Sequence, residues 1–253
     1  MGLSFTKSGG RGAEGLVTEG LILNLDSTDT NSYPGTGTVW TDLSGEGNDF
    51  DLVNGPTFST DDGGTIVTDG ANDYIKSQGN IDEQTKANST FAYVKCTNLT
   101  TSQWAGNYLT FFITKGFNNS SYNNISMLFK VSTANWSTYG YASVQLSTQG
   151  VGYLEGWNET PVPQIHPNTW HYVGFSTNGD SGDTVNCYID GVNIGSYTLS
   201  GDRAVQTNQH MVLASDSWSR NFGMPGSNKN YHMYNRELTA EEVLQNYNAI
   251  KVS

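Results

Sequence analysis

Between Leu21 and Tyr234 the chain repeats one local pattern, and that pattern limits it to very few architectures. Leu21–Asp26, Thr65–Val67, Phe91–Cys96, Tyr108–Thr114, Ile125–Val131, Tyr141–Leu146, Trp170–Phe175, Val185–Ile189, Ser196–Leu199, Met211–Ala214 and Tyr231–Tyr234 all read as strands. Gly, Asn, Asp or Pro stands in nearly every gap between them. Leu21, Leu23 and Leu25 recur at period two, which predicts a strand with all three on one buried face. Asp190-Gly191 separates two such runs, and both residues tolerate the positive φ angles of a tight hairpin turn. Many short strands without helices between them stack as a sandwich or close as a barrel. No internal repeat points to a propeller or solenoid.

Only MYNRELTAEEVLQNYNAIK, residues 233–251, carries a helix-start signal. Thr239 followed by Glu242 is a capping box, and Leu238 with Val243 has the spacing of a hydrophobic staple. Val243, Leu244 and Tyr247 then fall on one helical face. A helix this short does not persist alone in water, so it is expected to dock and seal an edge of the β core.

Composition narrows the class. A chain of 253 residues with 29 glycines and 12% aromatic residues is ordinary for one large all-β domain. Twenty-four acidic against 12 basic residues give a net charge of -12, which repels phosphate backbones, and no basic run offsets it. Nucleic acid is therefore not expected as a partner. No apolar run reaches membrane-spanning length and the first fifteen residues lack a hydrophobic signal core, so neither membrane insertion nor Sec export is expected. Cys96 and Cys187 lie far apart without metal-ligand spacing; free buried thiols are expected, with a bridge open if their strands are neighbours. Residues 1–18 read as a Gly-rich arm with Leu3, Phe5, Leu16 and Val17 as its apolar contacts, and residues 19–253 as a single domain.

Three signatures occur in order along the chain. They are GLILNLDSTDTNSYPGTGTVWTDLSGEGNDFDLVNGPTF continuing through DDGGTIVTDGANDYI, then NTWHYVGFSTN with NCYIDGVNIGSYTLSG, and finally YNRELTAEEVLQNY. Together they resemble the concanavalin A-like, laminin-G-like jelly-roll family in the form common among bacterial and phage surface proteins. The resemblance implies an all-β, two-sheet antiparallel jelly-roll sandwich with a short C-terminal helix, loops clustered at the rim, and here an N-terminal arm. It puts Trp40 and Trp170 on family strand positions and hence in the core. One departure is the polar stretch Asn228–Met233, where members often have a continuous apolar strand, so residues 221–230 are expected to form an altered loop. Residues 116–121 and 153–167 read as insertions.

Jelly rolls of this class include glucanases, so hydrolysis is the first chemistry to weigh. Retaining hydrolysis needs two carboxylates close together, which on a strand means acids at period two. No such run exists; Glu155 and Glu159 share a parity but sit among Gly and Pro. There is no G-x-S-x-G turn, and His166, His171, His210 and His232 show no zinc spacing. His171 reads as a strand residue at the sheet surface. No catalytic residue is assigned. The family's calcium at the rim has candidate oxygens in Asp42, Asn48, Asp69, Asn72 and Asp73, although Asx side chains capping their own turns is the simpler account. Sugar binding needs aromatic faces beside polar groups, for which Trp136, Tyr139, Tyr141, Tyr153 and Trp157 are candidates.

The function expected is that of a non-enzymatic bacteriophage virion protein, a capsid-decorating or otherwise displayed adhesion domain. Its arm would dock on other virion proteins, of capsid or tail, and its rim loops would face a host surface glycan. The alternatives are a carbohydrate-binding lectin or adhesin on a tail fibre or cell surface, assisted by calcium, and a glycan hydrolase with non-contiguous acids. No cofactor beyond calcium is called for, and self-association is left open.

Overall fold

The computed structural model describes residues 15–83, 85–97, 108–115, 125–132, 140–147, 154–156, 161–162, 166–203, 205, 210–214 and 224–251, with side chains for all of these except 108–162. The first strands are β1 (Leu21–Asp26), β2 (Val39–Trp40), β3 (Phe50–Val53), β4 (Thr57–Ser59), β5 (Thr65–Asp69), β6 (Tyr74–Ser77) and β7 (Asn88–Cys96). Then come β8 (Tyr108–Lys115), β9 (Ile125–Ser132), β10 (Gly140–Ser147), β11 (Leu154–Gly156) and β12 (Pro161–Val162). The last are β13 (His171–Thr177), β14 (Thr184–Ile189), β15 (Val192–Thr198), β16 (His210–Leu213) and β17 (Pro225–Tyr234), followed by the helix α1 (Ala240–Ile250).

Among the described residues these strands form two antiparallel sheets. The first runs β15-β14-β13-β7-β17-β5-β4 with β1 also on β17; the second runs β11-β10-β9-β8-β16-β6-β3-β2 with β12 on β10. This is the two-sheet sandwich the resemblance implied. Inner faces interdigitate as in other sandwiches: Leu25, Val94, Phe175 and Met233 of the first sheet join Trp40, Phe50, Ile75 and Leu213 of the second in one buried cluster. Trp40 meets Tyr231 edge-on with ring centroids 5.9 Å apart. The Asp190-Gly191 turn joins β14 to β15 with φ angles of 52° and 80°, the positive values its sequence allows. Cys96 and Cys187 are both buried and free, and burial pushes the Cys187 thiol up to about 12 and that of Cys96 higher still.

Several local expectations need correction, each for a physical reason. Leu21, Leu23 and Leu25 do not share a face. The register of β1 against β17 shifts between Leu21 and Leu23, so Leu21 packs with the outer cluster while Leu23 and Leu25 enter the core. A bulge inverts parity in just this way. Residues 225–230 are not an altered loop but the first half of β17, the pivot strand, which pairs β7 on one side and β5 then β1 on the other. The Asn228 side chain is buried with partners: Nδ2 donates to the Ile66 carbonyl at 3.1 Å and Oδ1 accepts from the Tyr231 hydroxyl at 2.7 Å. Paired polar groups of this kind are tolerated inside a fold.

The terminal helix has the predicted cap. Thr239 Oγ1 accepts the Glu242 N–H at 3.2 Å, and the Glu242 carboxylate accepts the Thr239 N–H at 2.9 Å. Arg236 grips the same carboxylate at 2.6 and 2.9 Å. Leu238 and Val243 are buried together beneath the cap. Leu244, however, is 45% exposed, and Asn246 takes a buried position beside Val243 and Ile250. The helix covers the outer face of the first sheet over Phe91, Tyr172, Tyr188 and Tyr234.

Candidate functional site

The outer face of the first sheet continues past the helix into a polar, aromatic end. Directly opposed residues of antiparallel strands share a face, so Tyr172, Tyr93, Asn230 and Asp26 form a row across β13, β7, β17 and β1. Trp170 precedes Tyr172 by two positions, and Lys95 follows Tyr93 by two, which extends that face by one more row. The Trp170 and Tyr93 rings are 5.1 Å apart and tilted by 35°. Trp170 is thus half-buried on the outside of the sheet, not in the core as its family position implied. Lys95 Nζ lies 5.1 Å from the indole centroid, and Lys229 Nζ lies 5.5 Å from it and 6.0 Å from the Tyr93 ring.

Lys229 reaches this position through a bulge. Asn228 pairs with Val94 and Asn230 with Tyr93, so Lys229 is the extra residue of β17. Its backbone carbonyl accepts the Ser27 N–H at 2.9 Å, and the residue is 3% exposed. Loss of solvent there holds its ammonium pKa below the usual lysine value. Next to it, Asn230 carries a buried Oδ1 without a hydrogen-bond partner.

The fourth component comes from the turn between β4 and β5. Asp62 has φ +54°, and Gly63 and Gly64 follow at +89° and +117°, so three successive residues are left-handed or nearly so. This conformation brings Asp62 over β17 to β7. Its Oδ2 accepts from the Lys95 ammonium and from Trp170 Nε1–H, the latter at 3.1 Å. The Lys95 hydrogen bond first, and then that of Trp170, hold the Asp62 carboxyl below the ordinary carboxylate range. The Asp62 side chain is 40% exposed and that of Lys95 22%, so the ion pair sits at the solvent boundary. An indole face, two ammonium groups and a carboxylate gathered at one end of a sheet can hold a polyhydroxylated ligand.

The residues predicted from sequence do not gather at one place. Asp42 and Asn48 organise the loop after β2: Asp42 accepts from the N–H groups of Asn24, Ser44 and Asn48 at 2.8, 2.9 and 3.0 Å, and from the Ser44 hydroxyl at 2.6 Å. Asn48 Nδ2 donates to the Ile22 carbonyl at 2.7 Å. Asp69, Asn72 and Asp73 shape the β5–β6 turn, where Asp69 Oδ1 accepts three turn amides and Asp73 Oδ2 accepts the Asp69 N–H at 3.1 Å. Among the described residues no three His, Cys, Asp or Glu side chains gather as metal ligands. Of the arm residues, Val17 is buried in the outer cluster and Leu16 is half-buried, while Leu3 and Phe5 lie outside the described residues. Trp136, Tyr139, Tyr153 and Trp157 also lie outside them; Tyr141 is on β10, paired with Ser132 and Pro161, and its side chain is not described.

His171 is not at the surface. It is buried at the start of β13, with Nδ1 2.8 Å from Asp190 Oδ2 and Nε2 accepting the His166 N–H at 3.2 Å, so both ring nitrogens serve the loop. Sequence reasoning missed Asp62, Lys95 and Lys229 altogether. The signal for Asp62 was present in Asp-Asp-Gly-Gly, a run able to adopt positive φ, but nothing local says where such a turn points.

A family model described as the concanavalin A-like lectin/glucanases superfamily matches residues 69–244. No curated protein matches the chain by sequence. Among solved structures, domain 4 of AbnA, a GH43 extracellular arabinanase from Geobacillus stearothermophilus, in complex with arabinotriose, is similar with a TM-score of 0.61 and 17% identity. The match covers 90% of this chain and 98% of that one. The botulinum neurotoxin serotype D binding domain is similar with a TM-score of 0.65 and 16% identity, over 92% of this chain and 53% of that one. The serotype D ligand binding domain in complex with N-acetylneuraminic acid gives 0.63 and 15%, over 92% and 52%. The chain thus spans about half the length of these neurotoxin domains. At such identities the likeness speaks for the fold.

Proposed function

Because this chain belongs to the concanavalin A-like lectin/glucanases superfamily, we propose that it recognises glycans without cleaving them, through the outer end of its first sheet. The observation that carries this reading is the half-buried Trp170 indole fixed between Tyr93, Lys95 and Asp62. A flat aromatic face covers the apolar side of a sugar ring, and the adjacent charged groups hydrogen-bond its hydroxyls. The non-cleaving part is supported by how the carboxylates are used. Asp42 and Asp69 serve turn amides, Glu83 serves the buried Arg203, and Asp62 serves Lys95. The arabinose-oligomer and sialic acid complexes of the similar structures agree with a glycan ligand.

The test is a glycan array followed by titration calorimetry of the best binders with wild type and Trp170→Ala. The variant is expected to keep the fold and lose at least about tenfold in affinity, the scale of one aromatic stacking contact with its surroundings. Unchanged binding by the variant ends the reading. Release of reducing sugar from the bound glycan ends its non-cleaving half.

We also propose that the domain is displayed on a virion or cell surface, with residues 1–14 as its tether. What motivates this is Val17, an expected arm residue whose backbone is held by Asn246 and Tyr234 of the domain. Mass spectrometry of purified particles, with and without residues 2–14, tests it; a protein that stays on particles without them overturns the tether.

A further inference from the structure

Resting on the glycan reading above, we infer that the Lys95–Trp170 site is selective for an acidic sugar, a uronic or sialic acid residue whose carboxylate takes the place that the Asp62 carboxylate holds here. The place is defined by its donors. One carboxylate oxygen receives both the Lys95 ammonium and the indole N–H, and the Lys229 ammonium stands 5.5 Å from the same indole. On a chain with 24 acidic and 12 basic residues, two lysines meet around one tryptophan, with the Asp62 and Asp26 carboxylates as their counter-charges. Lys229 contributes from a position 3% exposed, where its field is weakly screened by water. An ammonium and a ring N–H converging on one point are the donor set that a carboxylate satisfies best.

Asp62 is suited to be displaced. Its side chain is 40% exposed, its backbone sits at φ +54°, and two positive-φ glycines follow it. The internal carboxylate therefore depends on a turn conformation that L residues rarely adopt, at the solvent boundary. A sugar carboxylate delivers the same charge while its ring stacks on the exposed part of the indole, which Asp62 cannot do. Neutral sugars gain the stacking and the hydroxyl hydrogen bonds but bring no charge to replace that of Asp62, so the Asp62–Lys95 pair stays intact.

The experiment titrates the full chain with oligogalacturonate and its methyl ester, and with sialyllactose and lactose. Each acidic member is expected to bind at least about tenfold more tightly than its neutral counterpart in one of the two pairs, the scale of one charge-assisted hydrogen bond. K95M removes that preference, K95R retains it, and D62N raises acidic affinity by about threefold or more while leaving neutral affinity unchanged. Near-UV circular dichroism and melting curves establish that each variant is folded. Equal binding of acidic and neutral members, or an acidic preference that survives K95M, overturns the inference and leaves the glycan reading standing. Weaker acidic binding by D62N also overturns it. Failure of every glycan, neutral or acidic, to bind removes both.

Discussion

The side-chain oxygen of Asn246 accepts the backbone N–H of Val17 at 2.8 Å, joining positions 229 residues apart. Asn246 Nδ2 donates to the Tyr234 hydroxyl at 2.9 Å, and that hydroxyl donates to the Val17 carbonyl at 3.0 Å. The three hydrogen bonds close a buried ring that ties the start of the domain to the last strand and the terminal helix. The helix ends the fold by completing this ring as well as by covering the sheet.

Replacing Asn246 with Ala therefore strands two buried groups at once, the Val17 N–H and one lone pair of Tyr234. Each orphaned group costs about 1–3 kcal/mol, so Asn246→Ala is expected to lose roughly 3 kcal/mol in urea unfolding. Asn246→Leu is expected to do no better despite its larger apolar surface. A loss below about 1 kcal/mol for both means the ring adds little to stability.

The same ring makes Val17 part of the buried structure. Removing residues 2–14 is expected to shift the melting temperature by no more than about 2 °C, whereas removing 2–18 also removes the Val17 side chain and both of its backbone hydrogen bonds. The longer deletion should lose roughly 3 kcal/mol. Differential scanning calorimetry of the two truncations separates the cases, and equal melting points contradict the placement.

Much of this fold was legible because its determinants are local. The Asp190-Gly191 turn and the Thr239–Glu242 cap each lie within a few positions, and the structure has both. What could not be read depends on distant partners or on a single inserted residue. Asn246 faces inward because Val17 and Tyr234 need it, so the stripe expected to include Leu244 is rotated. The bulges at Ile22 and Lys229 invert the face assignments that strict alternation would give. The candidate site is illegible for the same reasons: Asp62 meets Lys95 across 33 positions and Trp170 across 108.

Asp42 organises the Asp-Leu-Ser-Gly-Glu-Gly-Asn stretch. Its carboxylate gathers the loop by four hydrogen bonds, including one from Asn24 of β1. Asp42→Ala is expected to cost roughly 2–4 kcal/mol by leaving half-buried donors of Asn24, Ser44 and Asn48 unpaired. Asp42→Asn is expected to be nearly as damaging, since a single amide oxygen replaces two acceptors. Melting curves of wild type in calcium chloride and in EDTA should superimpose. A calcium-dependent rise that Asp42→Ala abolishes would restore the metal role for this loop.

His232 should make the fold sensitive to acid. It is 1% exposed on β17, with Nδ1 3.1 Å from the Tyr172 hydroxyl. Burial pulls its pKa from 6.5 down to about 4, and the more distant Asp26 carboxylate opposes this only in part. Above pH 6.5 neither the folded nor the unfolded chain binds a proton at this site, and the stability tied to the neutral imidazole is fully present. As pH falls below 6.5 the unfolded chain takes up the proton first, so stability drops until the folded state also titrates near pH 4. The loss over that window is about 3 kcal/mol, at roughly 1.4 kcal/mol for each tenfold difference in proton affinity between the two states. Urea unfolding at neutral pH and near pH 4 should therefore show a steeper loss in wild type than in His232→Gln, whatever the variant's starting stability. Parallel loss in the two proteins would assign the acid sensitivity to other groups and mean that His232 binds its proton equally well in both states.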